Sequence, residues 1–104
     1  MNQFIYYLSL KEAFRTKHNW SDQQDSIVKE HFNYLLQLKE EGILIFAGKT
    51  KYDVDQDDNL GIVVLQSQTK EEACKFMQQD PALINGLMIA ELHPFHIAII
   101  NNGL

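Results

Sequence analysis

Along this 104-residue chain the apolar positions switch between period two and period 3.6 in a regular order. Phe4, Tyr6, Leu8 and Leu10 alternate with Ile5, Tyr7 and Ser9, which predicts a strand rich in aromatics. A polar loop, Lys11 to Trp20, follows. Ser21-Asp22-Gln23-Gln24 reads as a capping box opening a helix, and Gly42 is placed to close that helix in the left-handed conformation. Strands are predicted over Ile43 to Ala47 and Leu60 to Leu65, joined by the acidic loop Asp53 to Asn59. Thr69-Lys70-Glu71-Glu72 is a second capping box, opening a helix to about Gln79. A short turn, Asp80 to Gly86, leads to a last strand within Leu87 to Ile100.

The order βαββαβ predicts an α+β, ferredoxin-like domain over residues 1–104: a four-stranded antiparallel sheet with two helices on one face. Helices cover one face, yet the strands are apolar on both. Ile43 and Ile45 are expected to oppose Leu44 and Phe46, and Ile62 and Val64 to oppose Val63 and Leu65. A sheet with one wet face alternates apolar and polar residues instead. The second face therefore calls for a cover, and a homodimer packing sheet on sheet supplies one.

Composition narrows the function. The chain is 45% hydrophobic and 22% charged, as ordinary folded proteins are, not disordered or collagen-like ones. With 14 acidic and 9 basic residues the net charge is −5, the wrong sign for gripping nucleic acid or anionic lipid. No apolar run approaches the roughly 20 residues of a membrane span. Met1-Asn2-Gln3 opens without the basic segment of a signal peptide, so a cytoplasmic protein is expected. The single cysteine, Cys74, has no disulfide partner, and its helix position predicts a small buried hydrophobe.

His31 is the first candidate for chemistry. On a helical wheel it shares an apolar arc with Ile27, Tyr34, Leu35 and Leu38, with Val28 beside them. Lys29, Glu30, Asn33, Gln37 and Glu40 share the opposite arc, where Leu36 is the apolar exception. A ring so placed is either a core histidine held by a carbonyl or a Tyr hydroxyl, or a general base or acid. Asp80, followed by Pro81, is either a helix cap or a carboxylate that orients an imidazole. Spacing alone does not bring it to His31.

Arg15, Lys17, His18 and Trp20 cluster in the first loop, where they could hold a planar anion or be solvated, with Trp20 folded back as a staple. His93 and His96 flank Pro94-Phe95. Three apart on a strand, they point to opposite faces, which disfavours a shared metal, and either could line a pocket or the surface. Arg15, Lys17, Trp20, Tyr34, His93 and His96 are thus the candidate substrate-binding set. The acidic loop departs from a calcium loop, with Asp58 where Gly is needed and Val64 where Glu is. No phosphate loop or nucleophile elbow is present. No metal or organic cofactor is called for.

With these residues in view, the chain resembles the YCII-related (YciI-like) family. The resemblance is carried by His31-Phe32-Asn33-Tyr34-Leu35, Gly42 to Gly48, Glu72-Ala73, Asp80-Pro81 and Pro94-Phe95. It implies a dimeric α/β barrel of ferredoxin-like protomers and a catalytic histidine–aspartate pair falling on His31 and Asp80. Some relatives are linked to dehydrochlorination or lactone-type chemistry on small ring compounds. Two departures stand out. Lys49 occupies a position where relatives often have Pro, and the few residues before the histidine, where relatives often carry Arg, are here Asp25-Ser26-Ile27-Val28-Lys29. Arg15 or Lys17 is then expected to hold an anionic substrate. A small-molecule enzyme using His31 and Asp80 for acid/base work, without cofactor, is one reading. A non-catalytic binding or accessory dimer is the other, and a heme-handling barrel with a histidine axial ligand is a third.

Overall fold

The computed structural model describes residues 1–103. Four strands, β1 (Asn2–Leu10), β2 (Leu44–Lys49), β3 (Gly61–Ser67) and β4 (Met88–Phe95), form one antiparallel sheet in the order β2-β3-β1-β4. Helix α1 (Asp22–Glu40) joins β1 to β2, and α2 (Lys70–Gln78) with the one-turn α3 (Pro81–Ile84) joins β3 to β4. This is the expected α+β, βαββαβ architecture.

Period two decides which face each strand residue takes. Register pairs Tyr6 with Val63 and Leu92, and Phe4 with Leu65. These residues, with Leu8, pack under Leu35, Leu38 and Ala73 from the helices to make the main core. Burying a side chain such as Leu38 contributes about 1.5–3 kcal/mol. Leu10, Ile27 and Leu87 form a smaller cluster, against which Phe14, Trp20 and Val54 pack. The other face carries Ile5, Tyr7, Val64, Ile89, Glu91, His93 and Phe95 by the same registers. Tyr7, Phe46, Ile89 and Phe95 are exposed there.

Local chemistry sets the helix ends. Gln24 Oε1 accepts from the Ser21 amide at 2.8 Å, and Ser21 Oγ accepts from the Gln23 amide, completing the capping box of α1. Gly42, at φ 75°, ends α1 in a Schellman motif: its amide reaches Lys39 O at 3.0 Å and that of Ile43 reaches Leu38 O at 2.9 Å. Gly86, at φ 71°, closes α3 the same way, with Leu87 N bonded to Ala82 O.

Four expectations change. Thr69 Oγ1 accepts from the Glu72 amide at 3.1 Å, but among the described residues only this half of the second capping box forms. The span Asp80 to Gly86 is more than a turn, because Asp80 caps and Pro81 starts α3. Leu44 and Phe46 do not share a face. Leu44 pairs with Leu65 and Phe46 with Val64, so Ile45 is the extra residue of a bulge that resets the alternation. Cys74 is half-buried rather than buried.

Candidate active site

Three elements converge on Asp80. It lies at the start of α3, His31 in the middle of α1, and Tyr6 at the centre of β1 between β3 and β4. The Asp80 side chain is 0% exposed. An unpaired carboxylate so placed would cost several kcal/mol, so it must be surrounded by donors. Ala82 N donates to Oδ1 at 2.9 Å, and the Tyr6 hydroxyl donates to Oδ2 at 2.9 Å. His31 Nδ1 lies 2.7 Å from Oδ1 and 2.8 Å from Oδ2. Cap and carboxylate partner, the two alternatives for Asp80, are thus both realised by one side chain.

The donor set fixes the protons. An ionised carboxylate only accepts, so Nδ1 of His31 carries the hydrogen. In the neutral ring Nε2 then holds the free lone pair, and it has no protein partner among the described residues. Burial, followed by the charge of Asp80 and the bond to it, pushes the Tyr6 phenol far above its ordinary value of 10. Tyr6 is therefore a neutral donor throughout the physiological range. The Tyr34 phenol is pushed up to about 12 by burial and then by the charges of Asp80 and Glu41. Its hydroxyl donates to Phe76 O at 2.7 Å.

His31 keeps 15% of its side chain exposed, on the wall of a cavity of about 680 Å³ between α1 and β2. That volume suits a small organic molecule. Its walls are largely apolar. Val28, Phe32 and Leu36, four residues apart on α1, line it and are otherwise exposed. This explains Leu36, the apolar exception on the wheel. The i, i+4, i+8 spacing of Val28, Phe32 and Leu36 was the signal available in the sequence for this second stripe.

The candidate binding residues do not all gather here. Trp20 lines the cavity and donates from Nε1 to Asp25 Oδ1 at 2.8 Å. Arg15 is paired with Asp57 across a separate, more polar hollow of about 570 Å³. Lys17 is exposed in the first loop and lines neither space. Tyr34 is turned to Phe76 and does not line the cavity. His93 stands on the sheet face away from α1, edge-on to Tyr7 with ring centroids 5.7 Å apart and Nε2 3.7 Å from Glu91 Oε1. His96 lies beyond the end of β4, so strand alternation does not govern it. Among the described residues no three His, Cys, Asp or Glu side chains converge as a metal set, and no helix is long and apolar enough to cross a membrane.

The fold is thus a ferredoxin-like sheet, with a buried carboxylate bonded to a helix-borne histidine at a cavity wall. The match to the YCII-related domain spans residues 5–96, and the chain belongs to that family. A structure similar to it is 5-chloro-2-hydroxyhydroquinone dehydrochlorinase (TftG) from Burkholderia phenoliruptrix AC1100, in complex with 2,5-dihydroxybenzoquinone. The TM-score is 0.65 at 18% identity, covering 90% of this chain and 93% of that one. A protein of Arabidopsis thaliana aligns at TM-score 0.47 and 10% identity over 97% and 99% of the two chains. A search of curated protein sequences finds no match.

Proposed function

We propose that this protein is a cofactor-independent acid/base enzyme acting on a small ring compound, with His31 as the base and Asp80 as the group that orients it. The observation that carries this reading is a fully buried carboxylate, saturated by donors, bonded to the histidine on the cavity wall. Nε2 takes a proton from an acidic C–H or O–H of the substrate. The electron pair left behind forms a C=C or C=O bond. Forming that bond either breaks the bond to an adjacent leaving group, which departs with its pair as an anion such as chloride, or pushes a neighbouring π pair onto another carbon, which takes a proton; the imidazolium returns its proton to that carbon or to water. Asp80 stabilises the imidazolium formed meanwhile, and general base catalysis of this kind contributes about 10²–10⁴-fold. The reaction named for TftG, a dehydrochlorination, is of this type.

The working unit in this proposal is a homodimer. The sheet face opposite α1 exposes Tyr7, Ile89 and Phe95 along β1 and β4, beside Ile5 and Val64, which the chain itself buries, and in this proposal a second copy covers the exposed positions through a two-fold axis. Light scattering is expected to return twice the chain mass, and Ile89→Lys to lower it. A monomeric wild type would overturn this part.

Deuterium uptake from D2O into a panel of chlorinated and hydroxylated quinols tests the chemistry. Wild type is expected to exchange, and His31→Gln to lose at least 10²-fold with its circular dichroism spectrum retained. Exchange unchanged in His31→Gln would overturn the acid/base reading. Absence of exchange in wild type, with ligands still bound, would favour a binding or accessory dimer.

A further inference from the structure

We propose that Tyr6 is a positioning residue of the His31 site: its hydroxyl, donated to Asp80 from the centre of the sheet, meets the carboxylate charge with a neutral group and so lets His31 rest as the uncharged base. The proposal rests on His31 being that base and adds what keeps it ready.

Asp80 is fully buried, so its charge has to be met by the protein alone. Each of its oxygens receives one donor that stays neutral. Ala82 N reaches Oδ1 at 2.9 Å, and the Tyr6 hydroxyl reaches Oδ2 at 2.9 Å. His31 Nδ1 lies between the two oxygens, 2.7 Å from Oδ1 and 2.8 Å from Oδ2. With both oxygens already served, the carboxylate does not depend on an imidazolium to hold its charge. A donor also gains more from a carboxylate that bears its whole charge than from one that shares it with a cation. Tyr6 therefore stabilises the pair more when His31 is neutral than when it is protonated. The lone pair on Nε2, the atom that takes the proton, is kept free in this way.

Tyr6 does this from outside the cavity. It is fully buried in β1 and does not line the cavity, so it acts through Asp80 and not on the ligand. Burial and the nearby charge raise its phenol far above the ordinary value, which keeps it a donor. The other titratable and charged groups around His31 are accounted for. Asp80 faces it from α3, and Tyr34, on α1 itself, gives its hydroxyl to Phe76 O at 2.7 Å. Asp25 and Lys39 from α1 and Lys49 from β2 belong to the cavity wall, and among the described residues none is bonded to His31. All of these stay the same when only the Tyr6 oxygen is removed.

NMR of the His31 ring against pH, without ligand, tests this in wild type, Tyr6→Phe and Tyr34→Phe, each checked as folded by circular dichroism. In wild type the ring is expected to be neutral at pH 7 with its proton on Nδ1. In Tyr6→Phe it should take up its second proton about half to one pH unit higher. Tyr34→Phe removes a phenol oxygen bonded to Phe76 and not to Asp80, so it should leave the ring titration in place. Replacing Tyr6 by 3-fluorotyrosine, a stronger donor of nearly the same shape, should move protonation to lower pH. That replacement decides the matter if Tyr6→Phe does not fold, and an unmoved ring there overturns the proposal. Deuterium exchange gives the second readout. In Tyr6→Phe its acid limb should follow the ring, a loss of about three- to ten-fold on the acid side with the alkaline rate retained. A merely structural contact would lower the rate equally at every pH. A wild-type ring already protonated at pH 7, a titration that Tyr6→Phe leaves unmoved or lowers, or an equal shift in Tyr34→Phe overturns the proposal. A ring shift in Tyr6→Phe with no exchange in wild type keeps the hold of Tyr6 on the pair and removes His31 as the base. His31-dependent exchange with no ring shift removes the role of Tyr6 alone.

Discussion

Tyr6→Phe isolates one bond of the buried cluster. Tyr6 is 0% exposed, and its ring is at the centre of the core between Val63 and Leu92. Phenylalanine keeps that ring and removes only the oxygen, so packing changes little. What is lost is the 2.9 Å hydrogen bond to Oδ2 of a carboxylate that water cannot reach. Hydrogen bonds to charged groups contribute about 1.5–3 kcal/mol, and Asp80 keeps only His31 Nδ1 and Ala82 N as donors. A loss of about 2 kcal/mol follows, which lowers the melting midpoint of a domain this size by roughly 8–16 °C. Urea denaturation at fixed protein concentration should show a lower midpoint at an unchanged slope. A double-mutant cycle with Asp80→Asn should give a coupling of about 1 kcal/mol, because the hydroxyl then meets a neutral amide. A loss under about 0.5 kcal/mol, or a coupling near zero, would refute the view that Tyr6 supports the charge of Asp80.

Asp80→Asn keeps the shape and removes the charge that stabilises an imidazolium, so His31-dependent deuterium exchange should fall by about 10²–10⁴-fold; unchanged exchange would make the pair purely structural. Alkaline pH should destabilise the fold. The Tyr34 phenol is pushed up to about 12 by burial and the Tyr6 phenol further still, whereas unfolded phenols titrate near 10. The unfolded state releases its protons first, so stability is complete below about pH 10 and falls as pH rises through about 12. Denaturant midpoints between pH 9 and 11.5 that stay flat would contradict this. Gly42→Ala places a side chain at φ 75° with nothing within 4 Å, so its cost of roughly 1–2 kcal/mol is purely conformational; a neutral result in thermal melts would refute the left-handed cap.

What the sequence determined by itself is local. Alternation in Phe4 to Leu10, the capping box at Ser21 and the left-handed site at Gly42 act within a few residues, and each reappears in the structure at the expected place. The bulge at Ile45 escaped because an extra residue in one strand is defined only by the strand opposite. The site is non-local throughout. His31 and Asp80 are 49 residues apart, and Tyr6 and Asp80 are 74 apart. Family resemblance named the first pair, and nothing in the pattern named Tyr6, whose aromatic ring read simply as core. The hydroxyl on that ring acquires meaning only once the sheet sets it beneath the start of α3. The same holds for charge. Arg15 and Lys17 stood out as a basic cluster in a loop, but Asp57 satisfies the first and the second faces solvent. Periodicity and capping are short-range forces that a sequence displays directly; which distant donors surround a buried charge is decided only when the tertiary fold removes the water between them.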